Sequence, residues 1–280
     1  MRLAGCWIPK IRLETLLLRI LTMESENEMR LSISTPYREN SIVHIARAAA
    51  ASADLQRFYT TLYLARWRSA AQRLPVLGPR LAQELDRRAF AGIPVEWVVN
   101  VATFPELVHV GTRRLMGDRK PALVAGLMYR VKAQFDIAVA GRLHRECPNV
   151  LVGMYGASLE SFRVIQRQGG LAVLNFVNSH PAEHNRYLVE LAGLKAPHHE
   201  LIPEWVSQRV EAELAAADLV LVPSRFVAEQ LRGHGVAAEK IATLPYGVDL
   251  RAFHPEKQRR GSESGPLTCL YVGQISHRKG

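Results

Sequence analysis

The chain has 280 residues, of which 48% are hydrophobic and 22% are charged, and its formal net charge is +10. This composition excludes an intrinsically disordered or collagen-like chain. The sequence contains no run of about 18 apolar residues, so it predicts no membrane-spanning helix. Residues 1–130 carry 19 basic and 11 acidic side chains, whereas residues 131–280 carry 17 and 15. The basic N-terminal half either suits an anionic partner, such as a phospholipid surface, or reflects arginines scattered without a block.

Residues 1–28 precede the regular part of the sequence, and we expect them to be an extension of the first domain. Four apolar residues of this segment share one helical face: Leu13, Leu16, Leu17 and Ile20. The pattern predicts either an interfacial helix that contacts lipid or extraneous sequence upstream of the true start. We favour the second interpretation because a strand pattern begins directly after Met29.

From residue 29 to residue 250, short apolar strands alternate with longer helical patterns. The predicted strands are Leu31–Thr35, Phe58–Leu64, Val95–Val101, Asn149–Met154, Leu171–Val177, Leu219–Val222 and Lys240–Leu244. The predicted helices cover 41–51, 81–90, 105–116, 158–168, 204–217 and 225–232. Such alternation requires crossover connections and a mainly parallel sheet that is covered on both faces. The sequence therefore predicts an α/β fold with one Rossmann-like domain.

The alternation stops after residue 250. Residues 251–266 are polar and rich in Gly, Ser and Pro, which is typical of a linker. The following residues, 267–280, begin with an apolar strand pattern and continue into a loop. Because a lone strand lacks hydrogen-bonding partners, we expect 267–280 to be the truncated start of a second Rossmann-like domain.

Short motifs follow one another over the last quarter of the chain. They are Ala217-Asp218, Ser224, Gly247-Val248-Asp249, Phe253-His254-Pro255, and Val272-Gly273 with Lys279-Gly280. In this order they resemble family 4 glycosyltransferases (glycosyl transferases group 1). The resemblance implies the GT-B fold, in which two Rossmann-like domains face a cleft. It places the acceptor on the first domain and the nucleotide-sugar on the second.

The final loop resembles the diphosphate-binding loop of that family. The resemblance implies donor contacts from Gly273, Gln274, Arg278 and Lys279. A departing nucleoside diphosphate gains negative charge, which a backbone turn and a fixed cation stabilise. The family usually has an arginine after the first glycine, and here Gln274 leaves Lys279 as the principal phosphate contact. The alternative interpretation is a solvated basic loop.

Two histidines follow the predicted strand Leu171–Val177. Ligands of open parallel sheets bind beyond the carboxyl ends of the strands, where His180 is expected to lie. In the resembled family a histidine after this strand lies near the transferred sugar, so the resemblance implies a catalytic role for His180. His184 competes for the same role or contacts the acceptor, and a solvated loop histidine is the structural alternative.

Further acceptor contacts are predicted after two other strands. Gly153 and Tyr155 end the strand Asn149–Met154, where small residues would let an acceptor approach the backbone. A tight turn with Ser158 as the helix N-cap explains the same residues equally well. Tyr37 and Arg38 follow the first strand and suit a polar or anionic acceptor.

Other residues are expected mainly to shape the domain. Ser224 is predicted to cap a helix, with ligand contact as the alternative or additional role, and Gly247 and Asp249 are predicted to shape the hinge between the domains. No Asp-x-Asp pair or zinc-ligand spacing occurs, so we expect metal-independent chemistry without a cofactor. The three cysteines are too widely spaced for a disulfide framework and are expected to be buried thiols: Cys6, Cys147 and Cys269.

The resemblance implies a retaining glycosyltransferase that uses a nucleotide-sugar donor and a glycan, lipid-linked or small-molecule acceptor. Two alternatives remain, namely a non-catalytic module that binds an anionic acceptor and a GT-B sugar-nucleotide epimerase. No nucleic-acid partner is expected. We expect a cytoplasmic protein, with or without peripheral contact to an anionic membrane, and no turnover by the 280-residue chain alone.

Overall fold

The computed structural model describes residues 29–63, 90, 92–117, 119–192, 199–247 and 269–272, the side chains of residues 40, 191 and 192 excepted. Its centre is a sheet of seven parallel strands in the order β3-β2-β1-β4-β5-β6-β7. The strands are β1 Leu31–Ser34, β2 Leu55–Thr60, β3 Val98–Asn100, β4 Val150–Met154, β5 Leu171–Asn175, β6 Leu219–Val222 and β7 Ile241–Thr243. The α/β, Rossmann-like fold class is thus confirmed.

In the described part of the chain, seven α-helices connect or follow these strands. They are α1 Asn40–Ala51, α2 Thr103–Met116, α3 Pro121–Glu146, α4 Leu159–Arg167, α5 Pro181–Ala192, α6 Glu204–Ala216 and α7 Arg225–Gly233. None of the described helices is long and apolar enough to cross a membrane. The predicted helix over 81–90 lies outside the described residues, apart from its last residue, the buried Phe90.

The core lies on both faces of the sheet because successive side chains of a strand point to opposite faces. In β4, Val150 and Val152 pack on the face covered by α1, whereas Leu151 packs on the face covered by α3, α4 and α6. Every residue of β4 and β5 is buried. This two-sided burial explains why both strands appear in the sequence as continuous apolar runs.

Several predicted boundaries differ from the structure. Val95–Trp97 forms a 3₁₀ turn, so only Val98–Asn100 of that segment pairs as a strand. The second strand is Leu55–Thr60 rather than Phe58–Leu64, because the polar residues Gln56 and Arg57 interrupt the apolar pattern of its first half. The sequence does not predict the long helix α3, since its apolar residues do not fall on a single face of a helix.

Cys269–Val272, the described part of 267–280, is exposed and is not assigned to a strand, and its place in a second domain stays a prediction. One expectation about the described cysteines is wrong. Cys147 and Cys269 are exposed free thiols rather than buried ones. Cys147 ends α3 in a left-handed conformation, with φ of +40°, which places it at the surface. Cys6 lies outside the described residues.

Candidate functional site

A topological switch point lies between β1 and β4, at the centre of the sheet. The chain proceeds from β1 towards β2 and β3 on one side and from β4 towards β5, β6 and β7 on the other. The two strands run in parallel with Ser34 opposite Gly153, so the loops that follow them start side by side. In open α/β sheets such a point leaves a crevice for ligands beyond the carboxyl ends of the strands. We call this crevice the switch-point cleft.

The β1 side of the cleft is formed by the loop that contains Tyr37 and Arg38. Thr35 donates its hydroxyl to the Tyr37 carbonyl at 2.6 Å and also contacts the Met154 sulfur at 3.3 Å. The Tyr37 hydroxyl donates to the Met128 carbonyl of α3 at 3.2 Å. Tyr37 is half-buried and Arg38 is exposed, so this loop presents polar side chains at the edge of the sheet.

Behind Tyr37 lies the inward face of α2, which is polar. Glu106 and His109 are both buried, with His109 Nδ1 3.4 Å from Glu106 Oε2, and the rings of His109 and Tyr37 are 6.3 Å apart. Burial, together with the negative charge of Glu106, raises the pKa of Tyr37. The tyrosine therefore remains a neutral hydroxyl that can donate or accept hydrogen bonds.

A chain of side-chain hydrogen bonds joins the start of α1 to the end of β5. Asn175 donates its amide to the Ser41 hydroxyl at 3.0 Å, and Ser41 donates in turn to the Glu39 carboxylate. Glu39 also accepts the backbone N–H of Ile42 at 3.0 Å and thereby caps α1. These contacts fix the point where the first loop enters its helix.

The β4 side of the cleft is formed by Tyr155 and Gly156. The Tyr155 hydroxyl accepts the Asn178 amide at 2.8 Å, and its ring lies 5.3 Å from that of Phe176. The Lys132 ammonium lies 4.6 Å from the centre of the Tyr155 ring, in cation–π range. Gly156 has φ of +76°, a left-handed conformation that favours glycine.

A fully buried carboxylate holds the backbone of this second loop. Glu213 of α6 accepts the backbone N–H groups of Gly156 and Ser158, the latter at 2.9 Å. Burial raises the pKa of Glu213 to about 7, although the two N–H donors and Arg209 act in the opposite direction. Near neutral pH this carboxyl group consequently titrates inside the core.

A second buried carboxylate fixes the start of α4. Asp136 of α3 accepts the backbone N–H groups of Glu160 at 2.7 Å and Ser161 at 2.9 Å, and it pairs with Arg209. Arg209 Nε also lies 3.5 Å from Glu213, so one guanidinium links both carboxylates. Ser158 occupies the N-cap position but makes no capping bond, since its hydroxyl donates to the Met154 carbonyl. The predicted serine cap is therefore replaced by Asp136.

Gly153 is required by close packing within β4. A Cβ atom at this position would lie 2.2 Å from the Ser158 hydroxyl and 2.9 Å from the Phe162 ring. The space beside the glycine is therefore occupied by the protein's own side chains. Acceptor contact through Gly153 stays a prediction.

His180 is almost fully buried, with 2% of its surface exposed, and lies against the helices. Its ring stacks on that of His234 at 3.8 Å, and both line a groove of about 240 Å³ together with Glu211 and Lys240. Burial, reinforced by the nearby His234, lowers the pKa of His180 to about 4. His180 is thus neutral and lies beside α6 and the end of α7. Asn178, two residues earlier, contacts Tyr155 at the cleft.

The remaining predicted residues are dispersed. His184 Nε2 is bonded to the Glu200 carbonyl at 3.0 Å and so ties α5 to the segment before α6. Ser224 caps α7 as predicted by accepting the Val227 N–H at 3.4 Å. Gly247 is exposed, and no described atom lies within 4 Å of the point that a Cβ atom would occupy there.

The predicted donor and hinge residues fall on another part of the chain. Gly273, Gln274, Arg278, Lys279 and Asp249 lie outside the described residues. Within the described ranges no cluster of three or more His, Cys, Asp or Glu side chains could hold a metal ion. Metal independence stays an expectation.

Sequence reasoning missed Asp136, Arg209 and Glu213. Each lies on a helix, far along the chain from the loop or helix end that it holds. The sequence does contain a signal, because charged residues occupy helix positions that would ordinarily carry buried apolar side chains. The sequence nevertheless does not show which backbone groups such side chains meet.

Residues 80–252, more than half of the chain, match the family model described as Glycosyltransferase Family 4. No curated protein matches the chain. Because the matched segment includes α2 through β7, it covers the β4 side of the switch-point cleft and the two buried carboxylates.

The solved structures that match the chain share little sequence with it. UDP-GlcNAc 2-epimerase from Methanocaldococcus jannaschii is 14% identical with a TM-score of 0.37, and the match covers 77% of this chain and 45% of that chain. UGT2 from Phytolacca americana, complexed with UDP-2fluoro-glucose and pterostilbene, is 9% identical with a TM-score of 0.44, covering 78% and 53%. A UDP-glucosyltransferase from Polygonum tinctorium is 15% identical with a TM-score of 0.35, covering 79% and 53%. The chain thus spans about half the length of the solved structures that it matches.

Proposed function

Because the chain belongs to Glycosyltransferase Family 4, as the match over residues 80–252 establishes, we propose that it forms the acceptor-binding half of a glycosyltransferase. The enzyme transfers a sugar from a nucleotide-sugar to an acceptor hydroxyl and retains the configuration at the anomeric carbon. The observation that carries this proposal is the switch-point cleft, which lies where ligands of open α/β sheets bind.

The acceptor binds between the two loops of the cleft. Tyr37 and Arg38 offer hydrogen bonds and a positive charge from the β1 side, and Tyr155 offers an aromatic ring from the β4 side. The buried carboxylate of Glu213 supports this role, because it fixes the backbone beside Tyr155 before any ligand arrives. Positioning of this kind lowers the entropic cost of bringing two reactants together.

The donor is held by residues beyond the cleft. Gly273, Gln274, Arg278 and Lys279 bind the diphosphate, and Lys279 stabilises the charge that the leaving nucleoside diphosphate gains. The acceptor oxygen forms its bond to the anomeric carbon on the side from which the diphosphate departs. His180 acts on the sugar or acceptor as charge develops, which requires its ring to leave the stack with His234.

The test is sugar transfer from a panel of radiolabelled nucleotide-sugars to glycan, lipid-linked and small-molecule acceptors. Two proteins are compared: the 280-residue chain and a version continued through a second Rossmann-like domain. We expect transfer only by the longer protein, since the nucleotide needs the second domain. Transfer by the shorter chain would contradict this division of labour.

Two further outcomes separate the alternatives. Epimerisation of the donor sugar without any acceptor would show that the protein is an epimerase and not a transferase. In the longer protein, His180→Ala is expected to lower kcat by roughly 10²-fold, as the loss of one transition-state contact does. Lys279→Ala is expected to weaken donor binding as well, because the diphosphate is charged in both the ground state and the transition state.

A further inference from the structure

The outward face of α2 is apolar, although it faces solvent. Six large apolar side chains of α2 and the start of α3 are 41–80% exposed: Phe104, Leu107, Val108, Leu115, Met116 and Leu123. On a helix, the first four of these and Gly111 recur at the spacing of a single stripe. We call the six exposed side chains the α2 patch. Contiguous apolar patches of this kind mark interaction surfaces.

The arrangement is the reverse of an ordinary surface helix. The residues of α2 that are buried are Glu106 and His109, which lie behind Tyr37. By contrast, the buried residues of α4 include Leu159, Phe162 and Ile165, and its outer face is charged. A helix that buries its polar side chains and exposes its apolar ones is stabilised when the outer face meets an apolar medium.

Basic side chains border the α2 patch. Arg113 and Arg114 lie in the last turn of α2, and Arg119 and Lys120 follow directly, all four of them exposed. Residues 113–120 contain one acidic residue, Asp118, so the local charge is strongly positive. Apolar side chains next to a basic cluster complement the acyl chains and the negative headgroups of an anionic bilayer.

We infer that the α2 patch docks the protein on an anionic lipid surface, with α2 lying in the plane of the interface. Phe104, Leu107 and Leu115 enter the headgroup–acyl boundary, and the basic cluster contacts the lipid phosphates. Since the inner face of the same helix lies behind Tyr37, which belongs to the β1 side of the switch-point cleft, docking brings that side of the cleft towards the headgroups. The inference goes beyond sugar transfer, because docking can be measured without any donor or acceptor.

The experiment is co-sedimentation of the full 280-residue chain with vesicles. The probes are phosphatidylcholine vesicles and equimolar phosphatidylcholine–phosphatidylglycerol vesicles. We expect binding to the anionic vesicles that weakens at high salt, because exposed charges are screened. Leu107→Glu combined with Leu115→Glu should lower the partition coefficient by about 10-fold or more. Arg114→Glu and Lys120→Glu should each lower it by about 5-fold.

The matched control carries the same substitution on other helices. Ile137 of α3 and Val189 of α5 are 60% and 47% exposed and lie outside the α2 patch. Ile137→Glu combined with Val189→Glu should leave vesicle binding unchanged. Circular dichroism of each variant checks that it is folded, as expected for exposed positions.

Several results would overturn the inference. They are no binding to either kind of vesicle, equal binding to both, and equal loss in the α2 variant and the control variant. If Leu17→Glu abolishes binding while the α2 variant keeps it, the membrane contact belongs to residues 1–28 instead. A dimer in light scattering that the α2 variant dissociates would show that a second copy of the chain covers the patch.

Discussion

The two loops of the switch-point cleft are held in different ways. The loop after β4 is buried, and Glu213 and Asp136 hold it and the helix that follows from two distant helices. The loop after β1 is partly exposed and is held by hydroxyl contacts of Thr35 and Tyr37. One wall of the cleft is therefore held by carboxylates buried in the core, and the other by hydroxyl contacts and the partly exposed carboxylate of Glu39.

This difference has an energetic basis. An isolated buried carboxylate is strongly unfavourable, so it persists only where several donors surround it. Backbone N–H groups and the shared Arg209 supply such donors to Glu213 and Asp136, although burial still raises the pKa of Glu213 to about 7. A wall built in this way is difficult to disturb and hence well preorganised. The β1 wall is easier to change, which suits a surface that adapts to an acceptor.

The largest effect is expected from removal of the carboxylate that holds the β4 loop. Glu213→Ala leaves two backbone N–H groups without their acceptor and leaves Arg209 without one partner. The free energy of unfolding should fall by about 3–5 kcal/mol, as for a broken buried ion pair. Urea denaturation measures it. A loss below about 1 kcal/mol, the scale of a surface ion pair, would show that the carboxylate does not hold the loop.

The next largest effect is expected in the pH dependence of the free energy of unfolding, which should distinguish the two walls. The pKa of Glu213 is raised to about 7, above the value of about 4.3 for an unfolded chain, so the folded state binds the extra proton. Its contribution to stability is present below the unfolded pKa and is lost as the pH rises through about 7. Each tenfold difference in proton affinity between the folded and unfolded states corresponds to about 1.4 kcal/mol.

The comparison is wild type against Glu213→Gln, whose amide does not titrate. Unfolding free energies measured below and above the raised pKa should differ more in wild type than in the variant. Tyr37→Phe should keep the wild-type pH dependence, because it leaves Glu213 and the contacts of that carboxyl group unchanged. Identical pH dependence in wild type and Glu213→Gln would contradict the assignment.

A smaller loss is expected from crowding the end of β4. Gly153→Ala places a methyl group 2.2 Å from the Ser158 hydroxyl, so the loop must shift, at a cost of about 1–3 kcal/mol. Gly111→Ala is the matched control, since no described atom lies within 4 Å of its Cβ position on α2. That substitution should stabilise the protein by about 0.5–1 kcal/mol, because alanine favours helices. Thermal denaturation of both variants would show whether their effects have the opposite signs expected.

The smallest effect belongs to the β1 wall. Tyr37→Phe removes the hydroxyl that donates to Met128, at a cost of about 0.5–1.5 kcal/mol. Chemical denaturation of this variant and of Glu213→Ala compares the losses in the free energy of unfolding that the two walls produce. Equal losses in the two variants would remove the distinction between a fixed wall and an adaptable one.

The contrast also explains what the sequence could predict. The existence of the seven strands and the Ser224 cap follow from local patterns, and the structure has them. The Asp136 cap could not be predicted, because the carboxylate and the N–H groups it accepts are 24 and 25 residues apart. The apolar outer face of α2 could not be predicted either, since periodicity alone predicts that an apolar stripe faces the core.

His180 shows another limit of sequence reasoning. Its place after β5 predicted a position at the edge of the sheet, yet its ring stacks on His234 between the helices. The backbone carbonyl of His180 accepts the His184 N–H at 2.8 Å, as the helix α5 begins. The direction of a side chain at such a helix start depends on packing that the local sequence does not specify.

Amide hydrogen exchange tests most directly the central claim, that a buried carboxylate fixes one wall of the cleft. We expect the amides of Gly156 and Ser158 to exchange about as slowly as core amides of the sheet in wild type. In Glu213→Gln their exchange should accelerate selectively, while Asp54, whose N–H bonds to the Ala49 carbonyl, keeps its rate. Rapid exchange of Gly156 and Ser158 in the wild-type protein would contradict the claim.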